Sequence, residues 1–147
     1  GVDISDFEYN FPKNYELLRI VSVFSWELPV VGVYGGKNEW NYYFGNYNSS
    51  KNFAIYRNHS DWYSSTNPCD FVMGKEIFSK KPYVPTEIVL GRDGRFSVFV
   101  YGEEGFVLSC ENSEELTDPV KIDIGYAGKK NYDSSVHKFF FDCPVNL

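Results

Sequence analysis

The alternation of apolar and polar residues is the dominant pattern along this chain. Between Val120 and Tyr126 every second residue is apolar, and the residues between them are Lys121, Asp123 and Gly125. A period of two is typical of a β-strand with one buried face, because successive strand side chains point to opposite sides. Short segments with this pattern recur from Phe7 onwards, which predicts a protein built mainly from strands.

The spacing of turn residues predicts how these strands connect. Asp93-Gly94 lies between the alternating segments Glu87–Leu90 and Arg95–Tyr101, and an Asp-Gly pair in that position predicts a tight hairpin. Short strands are also expected at Cys69–Met73 and Glu76–Phe78. Eight to eleven short strands separated by frequent turns are typical of an antiparallel β-sandwich or jelly roll. We therefore predict an all-β fold forming one sandwich domain over residues 1–147.

Composition and charge narrow the class of partner. Aromatic residues make up 19% of the chain, and most of them are Phe and Tyr, which favour strands. The net charge is −6 and no Lys/Arg-rich run occurs, which argues against nucleic acid as a partner. No apolar stretch approaches the length of a membrane-spanning helix, so no membrane span is expected.

The motifs of common catalytic and cofactor sites are missing from the sequence. The two histidines, His59 and His137, lack a second histidine at metal-ligand spacing, and no dinucleotide or phosphate-binding glycine motif opens a helix. We expect no catalytic residue, no metal and no cofactor. An enzyme is the least favoured class, although a pair of turn carboxylates acting as acid and base is left open.

Three cysteines and two N-glycosylation triplets favour an extracellular, secreted protein. Cys69, Cys110 and Cys143 suggest one disulfide and one odd thiol, through which two copies can pair as a homodimer. A disulfide bond would stabilise the C-terminal strand. We therefore predict a Cys69–Cys143 bond, with Cys110 as a buried thiol. The acceptor triplets begin at Asn48 and Asn58.

Large aromatic residues on polar segments are the candidate ligand-binding residues. Trp40 and Tyr47 lie in one predicted hairpin beside Asn48, and Trp62 and Tyr63 lie in a segment of Asp, Ser, Asn and Thr. Aromatic rings with neighbouring amides are the groups that bind sugars. The alternative is that these rings fold back into the core. A glycan on Asn48 would compete with a ligand for the same surface.

Several segments resemble the farnesoic acid O-methyltransferase-like domain of arthropod proteins. The resemblance rests on Tyr43–Arg57, on Val89–Val98 with its Asp-Gly turn, and on Asp118-Pro119 followed by Ile124–Gly128. Asn46 and Tyr47 replace a Gly and a Trp of the family pattern, and its Ser-Thr-Gly-Trp-Gly ending is absent. The resemblance implies a small β module that occurs in secreted arthropod proteins, and no methyltransferase cofactor cradle is visible.

These observations favour a secreted, non-catalytic, lectin-like module that binds carbohydrate. Two alternatives stay open. One is a carrier of a small apolar ligand such as a terpenoid or lipid, since sandwiches and barrels can enclose one. The other is a structural, self-associating extracellular protein, for which an odd cysteine and many tyrosines are suited.

Overall fold

The computed structural model describes residues 2–11, 13, 15–25, 28–35, 40–59, 68–111, 116, 119–127 and 137–141. These residues form eleven strands and one short helix. The strands are β1 (Val2–Tyr9), β2 (Leu17–Phe24), β3 (Pro29–Gly35), β4 (Trp40–Asn46), β5 (Phe53–His59), β6 (Pro68–Val72), β7 (Val84–Gly91), β8 (Phe96–Val100), β9 (Phe106–Cys110), β10 (Val120–Ala127) and β11 (His137–Phe141), and the helix is α1 (Ile77–Lys80).

Two antiparallel sheets form a sandwich, as the alternating pattern predicts. The six-stranded sheet has the order β1-β10-β3-β4-β5-β6, and the five-stranded sheet has the order β11-β2-β7-β8-β9. The predicted hairpin is confirmed, because β7 and β8 pair directly from Leu90 with Phe96 to Thr86 with Val100. Non-consecutive neighbours such as β1 and β10 tie the beginning of the chain to a late strand.

The inner core is the apolar layer between the two sheets. Its rings meet at contact distance, with centroids 5.1 Å apart for Tyr42 and Phe96 and 5.3 Å apart for Phe53 and Phe106. The alternation in β10 predicted this layer correctly, since Val120, Ile122, Ile124 and Tyr126 are all buried in it. Burial of so many large side chains is the main stabilising contribution to the fold.

The short segment after β6 is a helical turn and not the strand that the sequence predicted. Ile77–Lys80 forms α1, whose buried residues Ile77 and Phe78 pack against the inner core. Its length agrees with the positions of Pro82 and Pro85, which prevent the helix from continuing. Within the described residues, no helix is long and apolar enough to cross a membrane.

Candidate binding surface

The outer face of the six-stranded sheet carries a second apolar cluster. In β4, Tyr42 and Phe44 belong to the inner core, so the alternation turns Tyr43 and Gly45 outward. In β5, the same rule turns Ala54 and Tyr56 outward. The outer cluster consists of Val30, Tyr43, Ala54 and Tyr56, with Tyr47 and Ala127 packed against it.

Four aromatic rings form a continuous patch on this face. We call Tyr43, Tyr56, Tyr47 and Phe71 the outer aromatic patch. Its ring centroids are separated by 6.3 Å between Tyr43 and Tyr56, 6.4 Å between Tyr47 and Tyr56, and 5.8 Å between Tyr47 and Phe71. Spacings of 4.5–7 Å are typical of interacting aromatic pairs. The patch therefore extends from β4 across β5 to β6.

The rings of the patch differ in how accessible they are. Tyr43 and Tyr56 are only 5% and 4% exposed, whereas Phe71 is 52% exposed. Tyr47 is half-buried. A ligand that stacks on aromatic rings can therefore reach Tyr47 and Phe71 directly. Tyr43 and Tyr56 are too buried to be reached, and Tyr56 packs against Tyr47.

A row of small residues lies beneath the rings. Gly45 pairs with Ala54 across β4 and β5, and Ala54 pairs with Phe71 across β5 and β6. A Cβ atom on Gly45 would lie 2.7 Å from Cε1 of Tyr43, closer than ordinary contact. Glycine at position 45 thus allows the Tyr43 ring to lie flat against the strand. The ring therefore projects little from this part of the outer face.

The turn between β4 and β5 is held by its own hydrogen bonds. The backbone N–H of Tyr47 donates to the carbonyl of Asn52 at 2.9 Å, and Nδ2 of Asn46 lies 3.5 Å from the same carbonyl. Asn48 adopts φ 60°, a left-handed conformation that asparagine tolerates better than most residues. Asn48 and Ser49 are exposed at the end of the turn. The turn therefore presents amide and hydroxyl groups beside the ring of Tyr47.

The segment that follows β6 stabilises this turn through a hydrogen bond and an ion pair. The N–H of Gly74 donates to Oδ1 of Asn52 at 3.1 Å, and the Lys51 ammonium lies 3.0 Å from the Glu76 carboxylate. Hydrogen bonds from Lys80 and then Lys51 lower the pKa of Glu76 to about 2, so this carboxylate is charged at neutral pH. The C-terminal end of the turn is thus fixed relative to the segment that follows β6.

A disulfide bond joins the two sheets beside the patch. Cys69 in β6 is bonded to Cys110 in β9, and their Cα atoms are 6.1 Å apart. Asp70 adds a second link, since its Oδ2 accepts the N–H of Ser109 at 2.9 Å. The predicted Cys69–Cys143 pairing is wrong, because Cys69 is bonded to Cys110. These two cysteines lie on β6 and β9, the edge strands at which the two sheets meet. Cys143 lies outside the described residues.

The other half of the outer face is polar. Lys121 in β10 lies 4.0 Å from the Glu8 carboxylate and 6.0 Å from the Tyr34 ring centroid. Asp123 is buried on the same strand. No group of three or more His, Cys, Asp or Glu side chains in the described part of the chain is arranged to hold a metal ion. The aromatic half of the face is therefore the part suited to binding an uncharged ligand.

The residues predicted as ligand-binding are distributed unevenly. Tyr47 and Asn48 both lie at the β4–β5 turn, and Tyr47 is part of the patch. Trp40 begins β4, and its side chain lies outside the described part of the structure, as do Trp62 and Tyr63. Tyr43, Tyr56 and Phe71 were not among the ligand-binding residues predicted from the sequence. Extending the alternation outward from the buried positions of β4 and β5 would have identified the first two.

The two-layer β-sandwich is similar in fold to solved structures of galectins. The lactose- and MES-liganded congerin II structure superposes with a TM-score of 0.55 at 9% sequence identity, covering 97% of this chain and all of that one. Chicken galectin 2 gives 0.54 at 13% identity over 91% of this chain and 98% of that one. The toad ovary galectin complex with thio-digalactose gives 0.52 at 9% identity over 92% and 98%.

The likeness to these structures is one of fold, since the sequence identities are low. No protein-family model and no curated protein matches the sequence.

Proposed function

We propose that this protein is a lectin-like module that binds carbohydrate on the outer aromatic patch. The observation that carries the proposal is the pair of accessible rings, Tyr47 and Phe71, whose centroids are 5.8 Å apart beside an exposed asparagine turn. Aromatic faces stack on the apolar C–H face of a sugar ring, and amides bind its hydroxyl groups.

The galectin-like fold supports this proposal. Congerin II was solved with lactose and a toad ovary galectin with thio-digalactose. These neighbours make β-galactosides the first ligands to test for this chain. The patch itself supports an uncharged sugar, because its rings are apolar and the polar half of the face pairs Lys121 with Glu8.

We also propose that the protein functions outside the cell. The Cys69–Cys110 disulfide supports this localisation, because stable disulfides form mainly in oxidising compartments. Non-reducing peptide mapping of protein secreted by eukaryotic cells would test it. A free Cys69 in that material would count against the proposal.

The binding experiment is a glycan array followed by titration calorimetry with lactose. We expect binding that Phe71→Ala and Tyr47→Ala each weaken by about 5–30-fold, the equivalent of one or two kcal/mol. Tyr83→Ala is the matched control, because Tyr83 is 69% exposed and lies between α1 and β7, outside the patch. Melting temperatures should stay close to that of the unmodified protein for Phe71→Ala and Tyr83→Ala.

Two results would contradict the proposal. One is an array on which the unglycosylated chain, with no substitution, binds no glycan. The other is binding that Phe71→Ala and Tyr83→Ala leave equally strong. Carriage of a terpenoid or lipid stays a prediction that none of these contacts favours, since the described inner core is filled by rings at contact distance.

A further inference from the structure

One of the two glycosylation triplets lies at the edge of the outer aromatic patch. Asn48, Ser49 and Ser50 are all exposed in the turn between β4 and β5. Asn48 directly follows Tyr47 in the chain, so their Cα atoms are about 3.8 Å apart. The acceptor triplet and the accessible rings thus share one corner of the molecule.

The asparagines of this turn have different hydrogen-bonding roles. Asn46 uses its Nδ2 toward the carbonyls of Ser49 and Asn52, and Asn52 uses its Oδ1 to accept the N–H of Gly74. Among the described residues, no hydrogen bond involves the Asn48 side chain. Modification of Asn48 would therefore leave the bonds that hold the turn intact.

We propose that Asn48 carries an N-linked glycan and that this glycan covers the outer aromatic patch of its own chain. The second part rests on the proposed function, because it requires that sugars bind to Tyr47 and Phe71. The Cys69–Cys110 disulfide supports the first part independently, since disulfide formation and N-glycosylation both belong to the secretory route.

The modification is a glycosyl transfer from a lipid-linked oligosaccharide pyrophosphate. The Nδ2 of Asn48 attacks the anomeric carbon, and the new C–N bond forms as the bond between that carbon and the pyrophosphate oxygen breaks. The lipid pyrophosphate leaves with the electron pair of the broken bond, and the amide nitrogen loses one proton. Ser50 supplies the hydroxyl that the acceptor triplet requires.

Tethering gives the glycan an advantage over free ligand. A group held by a short flexible linker acts at an effective concentration in the mM range, which competes with a free sugar of similar affinity. The glycan also covers the same surface sterically. We expect free lactose to bind the glycosylated chain roughly tenfold more weakly than the unglycosylated chain.

The test uses the full chain, secreted from a glycosylating eukaryotic host, with Asn58→Gln in every version. This background removes the second triplet, so that any N-glycan is attached to Asn48. The variant Ser50→Ala abolishes the triplet without changing Asn48, and Ser49→Ala is the matched control that preserves it. Glycopeptide mass spectrometry measures occupancy, and titration with lactose measures affinity. Enzymatic glycan removal provides a second comparison in which Ser50 is retained.

The expected result is occupancy at Asn48 in the parent and in Ser49→Ala, with tighter lactose binding in Ser50→Ala and after deglycosylation. An unoccupied Asn48 overturns the proposal, and so does an occupied Asn48 with unchanged affinity. Binding by the bacterially produced, unglycosylated chain distinguishes failure of the proposed function from failure of the proposal about Asn48. If that chain binds no sugar, the proposed function fails, whereas the occupancy of Asn48 is measured without reference to binding.

Discussion

Tyr42 and Tyr43 are adjacent in β4, yet they belong to different parts of the molecule. Tyr42 is completely buried in the inner core, where its ring packs on Phe96 and its hydroxyl donates to the carbonyl of Gly94. Tyr43 lies on the outer face against Gly45, as part of the patch that ends at the exposed Phe71. The same residue type thus stabilises the sandwich on one face and builds a candidate binding surface on the other.

The difference teaches how this chain uses its large aromatic content. Rings between the sheets are surrounded on all sides and contribute to the free energy of unfolding. On the outer face, Tyr43 and Tyr56 are also buried, whereas Tyr47 and Phe71 remain accessible. A large exposed apolar side chain gains little from folding and usually marks a surface that meets a partner. Substitutions can test this division directly.

The largest expected effect comes from comparing one inner ring with one outer ring. Phe53 is fully buried, with centroids 5.1 Å from Phe78 and 5.3 Å from Phe106. We expect Phe53→Ala to lower the free energy of unfolding by about 3–5 kcal/mol. Phe71→Ala should lower it by less than about 1 kcal/mol, because Phe71 is largely exposed. Urea unfolding measures both. Similar losses for the two variants would mean that Phe71 belongs to the fold and not to a binding surface.

The next effect concerns the disulfide that connects the two regions. The double variant Cys69→Ser with Cys110→Ser should lose about 2–4 kcal/mol of unfolding free energy, because the bond closes a long loop of the unfolded chain. The bond links residues 41 positions apart. Cys143→Ser is the control and should leave stability nearly unchanged. A loss of about 2–4 kcal/mol for Cys143→Ser alone would restore the Cys69–Cys143 pairing predicted from the sequence.

The smallest effect comes from a single hydroxyl group. Tyr42→Phe removes the buried hydrogen bond to the carbonyl of Gly94 and should cost about 1 kcal/mol near neutral pH. Burial raises the pKa of Tyr42 well above its ordinary value of 10.0. The unfolded chain therefore releases the Tyr42 proton first as the pH rises.

This order sets the sign of the pH dependence. The stabilising contribution of Tyr42 is complete below pH 10 and declines as the pH rises above that value. Denaturant titrations at several alkaline pH values should show a shallower decline for Tyr42→Phe than for the unmodified chain. Tyr83→Phe, at an exposed ring, serves as the control. An identical decline in all three proteins would contradict the assignment of Tyr42.

Alternation allowed most of the fold to be predicted from sequence. The β7–β8 hairpin and the buried face of β10 follow from the period of two and from Asp93-Gly94, which are local properties. The short helix α1 was missed because Glu76–Phe78 is too short for a helical period to be distinguished from a strand.

The candidate site was less predictable because it depends on pairing between strands. Tyr47 was identified by its place in a turn, but its contacts with Tyr56 and Phe71 arise only when β4, β5 and β6 lie side by side. The disulfide failed for the same reason, since nothing local to Cys69 and Cys110 indicates that β6 and β9 meet. The resemblance to the farnesoic acid O-methyltransferase-like domain stays a prediction.

The position of the disulfide also determines which strands of the native state should unfold first. The Cys69–Cys110 bond fastens β6 to β9, whereas β1 and β11 are the edge strands farthest from it in their sheets. Partial opening of the native state should therefore begin at β1 and β11, and amide hydrogens there should exchange with solvent before those of β5 and β6. Molecules with loosened terminal strands would keep Tyr47 and Phe71 in place, so ligand retention should outlast the first loss of protection.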